Sequence, residues 1–219
     1  MEIFLDTANL DEIHQALRLG VISGVTTNPS LAAQEGIGDL ADYRDAVQEI
    51  ARLVDGPISA EVLASDYEGM VLEAREIAAW APNVVAKIPS TLEGFEAMST
   101  LSQEGIRINQ TLCFSVNQAI LGARAGASFV SPFVGRLDDA GHDGMQVVAD
   151  IVEIFNRYQI STKVLAASIR HPLHCVAAAK VGAPVVTILL KVLRQMAGHP
   201  LTDVGMARFS EDWKRSVKV

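Results

Sequence analysis

Short apolar runs alternate with amphipathic stretches from one end of the chain to the other, and this alternation constrains the fold more than any other feature. Strand candidates fall near Ile3–Asp6, Gly24–Thr26, Ile58–Val62, Val84–Ile88, Ile106–Leu112, Phe129–Pro132, Lys163–Ala166 and Val185–Ile188. Between them, Ala41–Leu53, Tyr67–Trp80, Leu92–Glu104, Ser115–Gly126 and Gly144–Tyr158 carry apolar residues at helical spacing. Asn9, Ser65 and Ser115 stand where helix N-caps are expected, and Gly20, Gly105 and Gly126 where a left-handed residue would close a helix. Eight strand–helix units predict a closed (β/α)8 barrel, with a doubly wound open sheet as the alternative that the pattern leaves open. At 219 residues and 49% hydrophobic content, the chain can bury one such core as a single domain over residues 1–219. Beyond the eighth strand, residues 200–219 form a helix in surplus to the barrel. Its stripe of Val204, Phe209, Trp213 and Val217 must pack on its own barrel or on a neighbouring subunit.

A net charge of −8 with no basic stripe excludes nucleic acid as the main partner, although small phosphorylated substrates need only two or three local cations. No run of about 18 apolar residues is present, so no membrane partner is expected. The segment Met1–Asp6 reads as a first strand rather than a signal peptide. Cys113 and Cys175 lack disulfide or metal spacing, which points to the reducing cytoplasm. His171 and His174 have ligand-like spacing but no third ligand, and read as a helix N-terminus. Gly122–Gly126 lacks the glycine spacing of a dinucleotide loop. Neither a metal nor an organic cofactor is therefore expected. Asp138-Asp139 reads as a solvated loop, or as a partner for Arg136.

In a (β/α)8 barrel, chemistry sits where strands end, so polar residues there carry most weight. Lys87 lies near the end of the run Val84-Val85-Ala86-Lys87-Ile88-Pro89. Burying an ammonium is expensive, so an apolar setting favours the free amine, which can attack a ketone and form a Schiff base. Position alone leaves open a lysine whose stem covers the strand end while its head reaches water. Lys191, after the eighth strand, is a rival amine with fewer polar neighbours. The other strand ends offer Asp6, then Thr26-Thr27-Asn28, Glu61, Asn109 with Thr111, Ser131 followed by Phe133 and Arg136, and Ser168 with Arg170. Seven strands contributing at one end imply a polar cavity. Loss of water from a carbinolamine needs an acid near the amine, a role for Glu61 through a water ordered by Thr111. Cleavage of the adjacent carbon–carbon bond needs a base, and Asp6 fits. Asn28, Asn109 and Ser131 suit a polyhydroxylated substrate. Arg136 and Arg170 with Ser168 could clamp a terminal phosphate.

With these residues in place, the chain resembles the small transaldolases, a subfamily of the transaldolase and fructose-6-phosphate aldolase family. The resemblance is collinear and runs through LDTAN, GVTTNPSL, AEV, VAKIP, INQTLCFS, SPFVGRLDD and AASIRHP. It implies that Lys87 is the Schiff-base lysine, Asp6 the acid/base of bond cleavage, and Glu61 and Thr111 the pair around the catalytic water. It further implies Thr26, Asn28, Asn109, Ser131, Phe133, Arg136, Ser168 and Arg170 as substrate-binding residues. Aldolase members carry Gln at the position of Glu61 and Tyr at that of Phe133; both residues here are of the transaldolase type, so the resemblance favours group transfer over simple aldol cleavage. The implied reaction moves a dihydroxyacetone unit between sugar phosphates of the pentose phosphate pathway. A lyase releasing free dihydroxyacetone and a non-catalytic sugar-phosphate-binding barrel remain the alternatives. The resemblance also implies a homo-oligomer, pentameric or decameric, with the C-terminal helix reaching a neighbour.

Overall fold

All eight expected strands form, and they close on themselves. The computed structural model describes residues 1–216, so Val217 of the C-terminal stripe lies outside the described residues. In chain order, the first half contains β1 (Glu2–Asp6), α1 (Leu10–Leu17), β2 (Gly24–Thr26), α2 (Pro29–Gln34), α3 (Leu40–Leu53), β3 (Ile58–Glu61), α4 (Tyr67–Ala79), β4 (Val84–Pro89) and α5 (Leu92–Gln103). The second half contains β5 (Ile108–Cys113), α6 (Val116–Arg124), β6 (Phe129–Pro132), α7 (Val134–Asp139), α8 (Gly144–Arg157), β7 (Lys163–Ala166), α9 (Pro172–Val181), β8 (Val185–Ile188), α10 (Leu190–Ala197) and α11 (Pro200–Ser216). The strands pair in parallel from β1 through β8, and β8 pairs back with β1, so the open-sheet alternative is excluded.

Local sequence explains most boundaries. Asn9 caps α1 by accepting the Glu12 N–H, and Ser115 caps α6 by accepting from Gln118. The expected cap at Ser65 is displaced by one residue: Asp66 accepts from the Gly69 N–H and opens α4. Both side chains can cap, and the carboxylate adds attraction to the positive end of the helix. Gly20, Gly105 and Gly126 have φ of 66°, 79° and 94°, where a side chain would be strained.

The core has two parts. The larger lies between barrel and helices and includes Leu5, Ile50, Ile77, Ile88, Leu101 and Ile151. The smaller is formed by Phe4, Val85, Phe129, Leu165, Ala167 and Val185, with Phe133 packed against it. Phe4 and Phe129 meet edge to face with centroids 6.2 Å apart. Gly24 makes room for this contact, since a Cβ there would meet the Phe4 ring at 2.8 Å. This plug fills the barrel beneath the polar strand ends and gives them a dry floor.

Candidate active site

The register of the strands brings the polar residues to one level. Asp6 pairs with Thr26, Thr26 with Ser59, Glu61 with Lys87, and Lys87 with Asn109. Lys87 is almost fully buried, its side chain 5% exposed, so it is not a lysine whose head extends into bulk water. Its Nζ donates to Glu61 Oε2 at 2.7 Å and to the Thr27 carbonyl at 3.3 Å. An ammonium taken out of water is held here by a carboxylate that is itself only 13% exposed.

Asp6 is the second carboxyl at this level, and it is half-buried. Burial pushes it above the usual carboxylate range, against the opposing pull of Lys87 and of the hydrogen bond from Thr26 Oγ1 at 2.7 Å. The Thr26 hydroxyl also meets that of Thr187 at 2.7 Å. A carboxylate that burial leaves poorly solvated is a stronger base than one in water. Across the barrel, Asn109 donates to Ser59 Oγ at 3.0 Å and accepts from Ser131 Oγ at 2.6 Å. These bonds fix the orientation of the side-chain amide.

One cavity collects Asp6, Thr26, Asn28, Lys87, Ser131 and Phe133, together with Arg136, Ser168 and Thr187. Thus eight of the expected residues share a single space. Asn28 reaches it with part of its amide committed, because Oδ1 caps α2 by accepting the Leu31 N–H at 3.0 Å. Phe133 contributes an apolar wall, stacked edge to face on Phe114 and overlain by the Arg136 guanidinium 4.9 Å from its centroid. Ser168 holds φ at 57°, an uncommon conformation for a residue with a side chain, and so directs its neighbours at the end of β7.

Four expected residues stand off the cavity surface. Glu61 is reached through Lys87, and Asn109 through Ser131. Thr111 is fully buried, and its Oγ1 has no hydrogen-bond partner among the described residues. It precedes Leu112, whose φ is 49°, in a stretch where the β5–β6 register shifts. Bulges of this kind re-aim side chains near sites. Arg170 is exposed and paired with Asp139 at 2.5 Å. It passes close over Gly135, where a Cβ would meet Arg170 Nε at 2.3 Å and the Ser168 carbonyl at 2.4 Å. Arg170 therefore belongs to the rim beside Ser168 and Arg136.

Asp138 and Asp139 are solvent-exposed, as one expected reading had it, but they close α7 rather than a loop, and the alternative pairing with Arg136 is not formed. Asp139 takes Arg170, while Asp138 accepts the Gly144 N–H at 2.9 Å and faces His174 Nε2 at 3.2 Å. His171 and His174 stack with centroids 3.8 Å apart, and burial with the neighbouring His171 lowers the His174 pKa. No group of three metal-ligating side chains occurs among the described residues. Burial pushes the Cys113 thiol up to about 11, which leaves it a poor nucleophile. No described helix is long and apolar enough to cross a membrane. Lys191 sits exposed on α10 and does not line the cavity.

Sequence reasoning missed Thr187, Ser59 and Tyr43. The first was legible in principle, since Thr187 follows Val185 at a two-residue interval and must share its inward face. Tyr43 accepts the Glu61 N–H through its hydroxyl at 3.1 Å.

Fold and site together define a class: a (β/α)8 barrel of aldolase type, with a buried amine paired to one half-buried carboxylate and a second half-buried carboxyl at its strand ends. Comparison with known proteins narrows this. The family model described as Transaldolase/Fructose-6-phosphate aldolase matches residues 3–218. A protein named probable transaldolase from Dehalococcoides mccartyi is 63% identical over 98% of this chain and 98% of its own length. Another of that name from Desulforudis audaxviator is 63% identical over the whole of both chains. A third, from Heliobacterium modesticaldum, is 60% identical over 100% of this chain and 99% of its own. The chain belongs to the transaldolase/fructose-6-phosphate aldolase family.

Proposed function

We propose that the protein is a cytoplasmic transaldolase that carries a dihydroxyacetone unit on Lys87 between sugar phosphates. The observation that supports this best is the buried contact of Lys87 Nζ with Glu61 Oε2 at 2.7 Å. A proton passed from the ammonium to Glu61 frees the amine to attack C2 of a ketose phosphate such as fructose 6-phosphate or sedoheptulose 7-phosphate. Glu61 returns a proton as the carbinolamine loses water, with Thr111 Oγ1, buried and unpartnered, suited to hold that water. Asp6 takes the C4 hydroxyl proton, the C3–C4 bond breaks, and its electron pair enters the iminium to give an enamine on Lys87. An aldose phosphate leaves, glyceraldehyde 3-phosphate in the case of fructose 6-phosphate. The steps run in reverse with an acceptor such as erythrose 4-phosphate, and hydrolysis frees the amine.

Asn28, Asn109 and Ser131 would bind the hydroxyls of the chain, with Thr26 fixing Asp6. Arg136, Ser168 and Arg170 would hold the phosphate, which must draw Arg170 away from Asp139. Transfer is favoured over cleavage because Phe133 presents no hydroxyl near Lys87 to help protonate the enamine. We also infer a homo-oligomer, pentameric or decameric. No residue of α11 is buried, and Leu201, Val204, Phe209 and Trp213 lie open along one stripe. A product assay with fructose 6-phosphate tests the reaction. Sedoheptulose 7-phosphate formed with erythrose 4-phosphate, and little free dihydroxyacetone without it, is the expected result. Release of dihydroxyacetone at equal rate in both cases would make the protein a lyase.

A further inference from the structure

We infer that Tyr43 is a positioning residue for the Lys87–Glu61 pair, an inference that rests on the proposed role of that pair. Tyr43 belongs to α3, in the helical layer outside the barrel, and is 4% exposed. Its ring packs edge to face on Trp80 with centroids 5.7 Å apart. The hydroxyl, however, leaves this apolar layer and meets the end of β3. The last rung between β2 and β3 runs from the Thr27 N–H to the Ser59 carbonyl at 2.9 Å. Two residues further along, where β2 has already ended, the phenol oxygen accepts the Glu61 N–H at 3.1 Å. A side-chain hydroxyl thus takes the place of the missing strand, as a buried N–H requires.

The same phenol lies beside the Thr27 hydroxyl, although Thr27 Oγ1 completes no hydrogen bond. The ammonium of Lys87 is held by two groups, the Glu61 carboxylate and the Thr27 carbonyl. Tyr43 therefore borders both residues that hold it, from a helix that does not face the cavity. Burial pushes the phenol above its ordinary range, so it remains a neutral hydroxyl across the working pH. Its contribution is a fixed backbone at the base of Glu61. Freed of that bond, the carboxylate would swing relative to Nζ, and proton transfer depends steeply on such distances. The phosphate end would feel nothing.

Tyr43→Phe tests this, because it keeps the ring and removes only the oxygen. The expected result is a kcat reduced about 10- to 100-fold, the range that misplacement of about 1 Å produces. KM for fructose 6-phosphate should stay within about twofold, with a displaced pH–rate profile and borohydride trapping at Lys87 slowed in parallel with kcat. Val47→Ala is the control. Val47 is fully buried one turn further along α3, and its truncation should lower Tm while leaving kcat and the pH profile as they were. A Tyr43→Phe protein that matches wild type in kcat and pH profile, while wild type traps sugar on Lys87, overturns the positioning role alone. Equal losses in Tyr43→Phe and Val47→Ala also overturn it, because they would mark a merely structural helix. Failure of wild type to trap sugar on Lys87 overturns the role of the pair, and this inference with it.

Discussion

The mouth of the barrel and helix α11 break the usual rule of burial in opposite directions. At the mouth, charged and polar groups are taken out of water: Lys87, Thr26, Asn109, Thr111 and Ser131 are all buried. On α11, large apolar groups are left in water, with Leu201, Phe209 and Trp213 each more than 70% exposed. Ordinary surface leucines need no explanation, but a buried amine and an open aromatic stripe both do. The first arrangement is costly within one chain and makes sense when the groups do chemistry. The second is costly within one chain and makes sense when another surface covers it. On the proposed reading, the first cost is offset by reactivity and the second by assembly.

The sharpest way to break the first half of this comparison is Asp6→Asn. It should lower activity about 10²- to 10⁴-fold, the usual weight of a positioned base. The same change should raise Tm near neutral pH by about 2–4 °C, the shift that roughly 1 kcal/mol produces in a domain of this length. The sign follows from the raised Asp6 pKa. Above that raised value the folded state holds a carboxylate it would rather protonate; below the unfolded value both states are protonated and the penalty vanishes. The thermal gain should therefore shrink as the pH falls. Thermal melts of both proteins from neutral to acid pH check it, and a variant less stable at every pH would mean that Asp6 is a structural partner of Lys87 and Thr26.

Arg170→Ala probes the rim between the two regions and should have a smaller effect. It removes a charge-assisted contact worth roughly 1.5–3 kcal/mol, or about 10- to 150-fold in kcat/KM for a sugar phosphate. Turnover of an unphosphorylated ketose should change little, because only the Asp139 partner is lost. Equal losses with both substrates would assign Arg170 to structure. Smallest in its effect on the chemistry is removal of α11 after Gly198. The barrel core does not include it, so the truncated chain should still fold, but light scattering should find a smaller assembly. A monomeric full-length protein, or an assembly unchanged by truncation, would show that the exposed stripe does not mark an interface.

Much of this was legible in the sequence because barrel strands carry two signals at once. Runs such as Val84–Ile88 announce a buried parallel strand, and a polar residue near the end of such a run must either face the mouth or find partners in the helical layer, as Gln110 does against α6. Lys87, Asp6 and Ser131 were found this way. What escaped notice depends on which elements meet in space. Tyr43 occupies an ordinary core position on an amphipathic helix, and nothing nearby in sequence says that its hydroxyl lies over β3. Asp139 and Arg170 are 31 residues apart, and only the close passage over Gly135 brings them together. The two-residue delay of β5, from Ile106 to Ile108, has a local cause: the Ile106 N–H is used by the Leu101 carbonyl at the end of α5. Short helices such as α2 and α7 hold too few turns for a helical period to emerge.

Reduction with borohydride in the presence of fructose 6-phosphate, followed by peptide mass mapping, tests the central claim most directly. An iminium between Lys87 and the sugar is reduced to a stable secondary amine, so a carbon adduct should appear on the peptide containing Lys87, with loss of activity in proportion to labelling. The buried pairing of Lys87 with Glu61 is the reason to expect that site. An adduct on the exposed Lys191, or no adduct while turnover continues, would contradict the account.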